Sequence, residues 1–216
     1  MTSVKKTQRT YRSPVREEAA RRTREVVVEA AGEVFVHEGY SGATIEQIAA
    51  RAGVSRQTVF GVGGKAQLFA FARRRAAEGG SVSANDEGFR RILAIRDARR
   101  LLEEFAAFTA AISQRLGPLQ RVLEQAAGSD PELAQLLETA QEELLECARG
   151  VLAAAAATGS LRREVPHEVA ADILWLQIQP ANYRRLVEER GWSHRAFEQW
   201  HAAAMITALL EPGGAG

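Results

Sequence analysis

Cysteine is nearly absent from this 216-residue chain, with Cys147 standing alone. A single thiol excludes an intrachain disulfide and any cysteine-based zinc site within one chain. Aromatic residues make up only 6% of the sequence, and no segment sustains the apolar-polar alternation of a half-buried strand. Long apolar runs are missing too: the longest, Val151 to Ala157, falls far short of the roughly 20 residues that cross a bilayer. The basic stretch holding Lys5, Lys6, Arg9 and Arg12 has no apolar segment behind it to make a signal peptide. A soluble, cytoplasmic protein is expected, with no membrane partner. The histidines His37, His167, His194 and His201 are scattered, and Gly39-Tyr40-Ser41-Gly42 is followed by Ala43 where a nucleophile elbow requires glycine. No nucleophile, base and orienting group can be assembled, so neither catalysis nor a metal or cofactor is expected.

What is present favours helix. Alanine, leucine, glutamate and arginine dominate a chain that is 46% hydrophobic, enough to bury a sizeable core. The net charge of +1 conceals an asymmetry: residues 1–78 carry 14 Lys and Arg against 8 Asp and Glu, a net of +6, while residues 79–216 carry 14 against 19, a net of −5. A basic N-terminal part suited to a polyanion precedes an acidic body that is not.

Residues 1–22 are polar, basic and interrupted by Pro14, and read as a flexible arm able to follow a minor groove. From Thr23, Val27, Ala30, Ala31, Val34 and Phe35 fall on one helical face, and Gly39 suits a left-handed cap. Thr44 and Gln47 form a capping box for a second, short helix through Ile48 and Ala49 that stops at Gly53. Ser55 can cap a third helix carrying Val59, which the glycines from Gly61 to Gly64 end. Lys65 opens a fourth, running through Leu68 and Phe69 to Arg73, Arg74 and Arg75, and residues 79–88 read as a connector. Longer helices are expected near 89–115, 117–127, 131–157, 166–188 and 194–210, giving an all-α chain of about nine helices. The expected organisation is an arm (1–22), a helix-turn-helix domain with its connecting helix (23–80) and a larger regulatory and dimerisation domain (85–212).

The second helix, Gly53-Val54 and the third helix make a compact helix-turn-helix whose first turn, Ser55, Arg56, Gln57 and Thr58, can present donors and acceptors to base edges and phosphates. Short capped helix pairs also occur in enzymes and in protein-binding scaffolds. The stretch from Val28 to Phe69, with Ala30-Ala31, Phe35, Gly39-Tyr40, Thr44, Ile48-Ala49, Ala52-Gly53-Val54-Ser55, Thr58-Val59-Phe60, Lys65 and Leu68-Phe69, resembles the N-terminal domain of TetR-family repressors. The resemblance implies double-stranded DNA with a palindromic operator as partner. Base reading falls to Arg56 and Gln57, and phosphate contacts to Thr44, Thr58 and Lys65. Phe60 stands where the family usually has tyrosine; without a hydroxyl it can touch a thymine methyl instead. The turn Gly61-Val62-Gly63-Gly64 is one residue shorter than the family pattern and lacks its aromatic. Gly64-Lys65-Ala66 does not make a nucleotide-binding loop.

For the body, the resemblance implies a homodimer closed by the last two long helices. Phe197, Trp200, Ala204 and Leu210 with Val169, Ile173 and Leu176 supply apolar faces for it. Pro180 should kink its helix. Candidate pocket residues for a small-molecule effector are Phe105, Phe108, Leu137, Cys147, Trp175, Gln179 and Tyr183, although for each of them plain core is the simpler reading.

Overall fold

A computed structural model describes residues 14–77 and 86–212, with side chains from Glu17 onward. The expected arm before Pro14 and most of the 79–88 connector lie outside these residues. The elements run α1 (Pro14–Gly42), α2 (Ile45–Ala52), α3 (Arg56–Val62), α4 (Lys65–Ala76), α5 (Glu87–Leu93), α6 (Ala98–Ala126), α7 (Pro131–Ala156), α8 (His167–Gln177), α9 (Pro180–Tyr183) and α10 (His194–Leu209). The π-helical turn Arg184–Glu189 prolongs α9. Among the described residues the only β pairing is one isolated bridge, Leu161 to Leu210. The all-α expectation holds.

Three boundaries differ from the sequence reading, each for a local reason. Helix α1 begins at Pro14 rather than near Thr23. Proline suits a first helical turn, and Arg21 bridges Glu18 at 2.8 Å and Glu25 at 3.6 Å on the exposed face, so polarity without apolar periodicity concealed a solvated helix. The expected 89–115 helix divides instead between α5 and α6, because Asp97 caps a new start by accepting the Arg100 N–H at 2.6 Å. Helix α6 then passes straight through Gly117 and Pro118, where a break was expected. An internal proline costs about 3 kcal/mol, but Leu101, Leu102 and Phe105 lie in one core and Leu119, Val122 and Leu123 in another, and burial on both sides holds the helix continuous.

The expected kink at Pro180 is a full interruption after Gln177. Proline cannot donate to the Leu176 carbonyl; Asn182 supplies the missing donor through Nδ2, at 2.8 Å from Leu176 O and 3.1 Å from Gln177 O.

The N-terminal core joins Val27, Ala31 and Phe35 of α1 to Ile48, Val59, Leu68 and Phe69. Burying each large side chain contributes roughly 1.5–3 kcal/mol. This core does not stop at the expected domain boundary: Leu119, Val122, Leu123 and Ala126 of α6 and Leu133 of α7 belong to it. A second core ties α5 and the first half of α6 to α7, α8 and α10. Helix α6 therefore connects the helix-turn-helix mechanically to the body.

Candidate nucleic-acid interface and effector cavity

Helix α2 starts with the expected reciprocal cap. Thr44 Oγ1 accepts the Gln47 N–H at 3.2 Å, and Gln47 Oε1 accepts the Thr44 N–H at 2.8 Å. At Gly53 the backbone turns left-handed (φ 66°) and returns its N–H to Ala49 and Ala50, a conformation that L side chains resist. Ser55 then caps α3, its Oγ accepting the Thr58 N–H at 3.1 Å and lying 2.9 Å from the Thr58 hydroxyl. Both hydroxyls are thus engaged in shaping the helix start, and what they offer a nucleic acid is their outward lone pairs and rotors.

The turn from α3 to α4 depends on a close approach. A Cβ at Gly63 would lie 2.9 Å from Gln67 Oε1, the atom that caps α4 by accepting the Gly64 N–H at 3.1 Å. The shortened glycine turn is therefore a compact hinge into α4.

Helix α3 is sharply two-sided. Val59 is fully buried, whereas Arg56 and Gln57 are exposed and Phe60 is 57% exposed. Sequence reasoning missed Glu46, whose carboxylate holds Arg56 Nη2 at 2.8 Å. Its placement ten residues earlier on α2 was visible, but the crossing of α2 and α3 that brings the pair together was not. Lys65 is half-buried, its Nζ 4.6 Å from the Tyr40 ring centre and 3.5 Å from the Ser41 carbonyl. Burial lowers its pKa, against a weaker opposing pull from Asp130. The helical start of α1 lies alongside: Glu18, Arg22 and Val26 line a surface depression with Ala52 and Val54 of the helix-turn-helix.

Residues 27–70 match the family model described as bacterial regulatory proteins, tetR family. Over these residues the chain is similar to the tetR family. No curated protein matches the chain. Among solved structures, a candidate TetR-family transcriptional regulator from Mesorhizobium loti MAFF303099 is similar at 19% identity, covering 89% of this chain and 98% of that one with a TM-score of 0.70. NalD, the secondary repressor of the MexAB-OprM multidrug efflux pump in Pseudomonas aeruginosa, is similar at 20% identity, covering 91% and 100% with a TM-score of 0.66. SmeT bound to triclosan is similar at 18% identity, covering 89% and 93% with a TM-score of 0.65; SmeT is the repressor of the Stenotrophomonas maltophilia multidrug efflux pump SmeDEF. The tetR-type fold therefore extends over the body as well as the matched domain.

Behind the tetR-type domain, a cavity of about 610 Å³ opens between α4, α6, α7 and the break at Ile178 to Pro180. Its volume suits a small organic molecule. Ile112, Leu116, Leu136, Leu144 and Ile178 give it apolar walls, and Arg73, Ser113, Gln120 and Gln141 add polar groups. The break at Pro180 does contribute to a cavity, yet none of the seven expected pocket residues lines this one. Phe105, Cys147 and Tyr183 are buried in packed clusters, and burial pushes the Cys147 thiol up to about 12. Phe108 stacks on Phe89. Leu137 and Trp175 pack half-buried against the two cores, and the Tyr183 hydroxyl lies 2.9 Å from His194 Nδ1. Gln179 comes nearest, its amide exchanging hydrogen bonds of 3.0 and 3.3 Å with Gln141 in the cavity wall.

The expected interface residues divide. On α8, Leu176 is 61% exposed and Ile173 half-buried; on α10, Trp200 is 38% exposed and Ala204 half-buried. Phe197 is a correction: it points inward, packed against Tyr183 and Ala110, because a 3.6-residue period fixes which face is apolar but not which neighbour covers it. Among the described residues, no group of three His, Cys, Asp or Glu could hold a metal ion, and no helix is long and apolar enough to cross a membrane.

Proposed function

We propose that this protein is a non-enzymatic, cytoplasmic DNA-binding transcriptional regulator, a repressor that leaves its operator when a small molecule occupies the body. The observation carrying the reading is the two-sidedness of α3: Val59 anchors it while Arg56, Gln57 and Phe60 face solvent from its first two turns. A guanidinium matches the paired acceptors of guanine, a carboxamide matches adenine, and an exposed phenyl ring can meet a thymine methyl. Thr44, Ser55, Thr58 and Lys65 surround them as phosphate contacts, which fix register without reading sequence.

A single seven-residue helix reads few bases, so the protein acts as a homodimer on a palindromic site. The stripe of Val169, Ile173 and Leu176 on α8, with Trp200 on α10, supports that pairing. The cavity abutting α4 supports control by ligand, and the repressors NalD and SmeT, the latter found with triclosan, share the fold. Occupancy would favour a dimer with its two α3 helices wrongly spaced, and a full switch needs roughly 5.5 kcal/mol of differential affinity.

Selection of bound fragments from random duplex DNA tests the reading. Recovery of a two-fold symmetric sequence, with half-sites about one helical turn apart, is the expected result. Recovery of no enriched sequence would overturn it.

A further inference from the structure

The three arginines that close α4 differ in their surroundings. Arg74 is exposed, whereas Arg73 is turned toward the cavity and largely enclosed. Its Nη2 donates to Gln120 Oε1 at 2.7 Å, and Gln120 passes the interaction on by donating from Nε2 to Glu124 at 3.0 Å. The Arg73 Nε is buried and meets no acceptor. No salt bridge to Arg73 forms among the described residues, although Glu143, exposed on the same lining, and Glu124 both exert an attraction that opposes the effect of burial. The charged groups lining the cavity are Arg73, Arg74 and Glu143, so cations outnumber anions. On Arg73 only Nη2 has an acceptor among the described residues, Gln120, and the guanidinium that lines the cavity carries the fork of N–H donors that carboxylates engage through two parallel hydrogen bonds. Leaving such a donor without a partner is costly.

We infer that the cavity takes an amphiphilic monocarboxylate, its carboxylate seated on the Arg73 guanidinium and its apolar body among Ile112, Leu116, Leu136 and Ile178. The inference rests on the proposed reading of the body as an effector domain and specifies the chemical class of the effector. It also gives the signal a route. Arg73 lies eight residues along α4 from Lys65, about 12 Å at the rise of an α-helix, and Lys65 follows directly on the glycine turn that ends α3. A ligand that draws on Arg73 acts on the helix from which the DNA-reading helix is hung.

Titration calorimetry of the full-length protein with decanoate, decan-1-ol and decylamine, each below its micellar or solubility limit, tests this. Decanoate should bind at least about tenfold tighter than the alcohol or the amine, since only the carboxylate brings an opposite charge and two acceptors that a guanidinium engages through parallel hydrogen bonds. Arg73→Met should abolish the preference for decanoate over the alcohol, with Arg73→Lys intermediate because the charge stays and the fork is lost. Should the methionine variant fail to fold, the acid-to-alcohol ratio in the unaltered protein still decides. Alcohol binding as tight as acid, tighter binding of the amine, or a preference for decanoate that survives in Arg73→Met would overturn the carboxylate assignment and leave the effector reading intact. Failure of all three probes to bind would overturn both.

Discussion

His201 makes the stability of this protein depend on pH in a window that can be worked out from its surroundings. The ring is 1% exposed, stacked on Phe197 with centroids 5.1 Å apart. The Thr109 hydroxyl donates to the Phe105 carbonyl at 2.9 Å, which leaves its oxygen to accept from His201 Nε2–H at 3.1 Å. Nδ1 is then a bare lone pair, buried without a partner, and a proton placed there would create an unpaired charge in an apolar site. Burial accordingly lowers the pKa of His201 from 6.5 to about 4. Between those values the unfolded chain binds the proton and the folded one does not, so stability is fully present above the unfolded pKa and drains away as pH falls toward the folded one. At about 1.4 kcal/mol per unit of pKa the loss amounts to about 3 kcal/mol. Urea unfolding of the natural chain and of His201→Phe, at matched protein concentration from pH 7.5 to 4, isolates this contribution, since every other titrating group is common to both. The difference in stability between the two should shrink by about 3 kcal/mol in favour of the variant as pH falls. Parallel stability curves, or the His201 imidazole resonance, assigned by its loss in His201→Phe, titrating near 6.5 in the folded protein, would refute the reasoning.

Three further outcomes follow from named contacts. Glu46→Gln frees Arg56 from a pair whose members are 62% and 56% exposed; such pairs are worth up to about 1 kcal/mol, so affinity for duplex DNA should rise a few-fold at low salt and converge with the natural chain at high salt, as gel-shift titrations would read. Ser55→Ala removes the acceptor for Thr58 N–H and should cost about 1 kcal/mol in thermal unfolding; no loss would mean that the cap is idle. Leu176→Arg places a charge at the C-terminal end of the exposed α8 stripe and should yield monomers in sedimentation at micromolar concentrations where the natural chain is dimeric, whereas an unaffected dimer would move the interface elsewhere.

Much of the architecture was legible because particular residues have few alternatives. Gly53 with Ser55, Thr44 with Gln47 and Asp130 with Pro131 each fix a helix end through one backbone requirement, and all three appear where spacing placed them. Asp97 was concealed because the residues on both sides of it read as one helical run, and only the packing of α5 against α6 reveals the interruption. Phe197 was misplaced for a related reason: periodicity separates apolar from polar faces but does not distinguish an inner core from a subunit seam. The cavity between α4, α6 and α7 was the least legible part. Arg73 sits in a run of three arginines that reads as solvated surface, and its enclosure depends on α6 and α7, which lie far away in sequence.

The central claim is that the exposed face of α3 distinguishes one DNA sequence from another. It is tested most directly by measuring affinity for a selected operator and for random duplex DNA across a salt series, with the natural chain and with Arg56→Ala. The account predicts steeply salt-dependent binding to both DNAs, and a loss of about 1–3 kcal/mol in the variant confined to the operator. Equal losses on both DNAs, or binding by the natural chain that ignores salt, would contradict it.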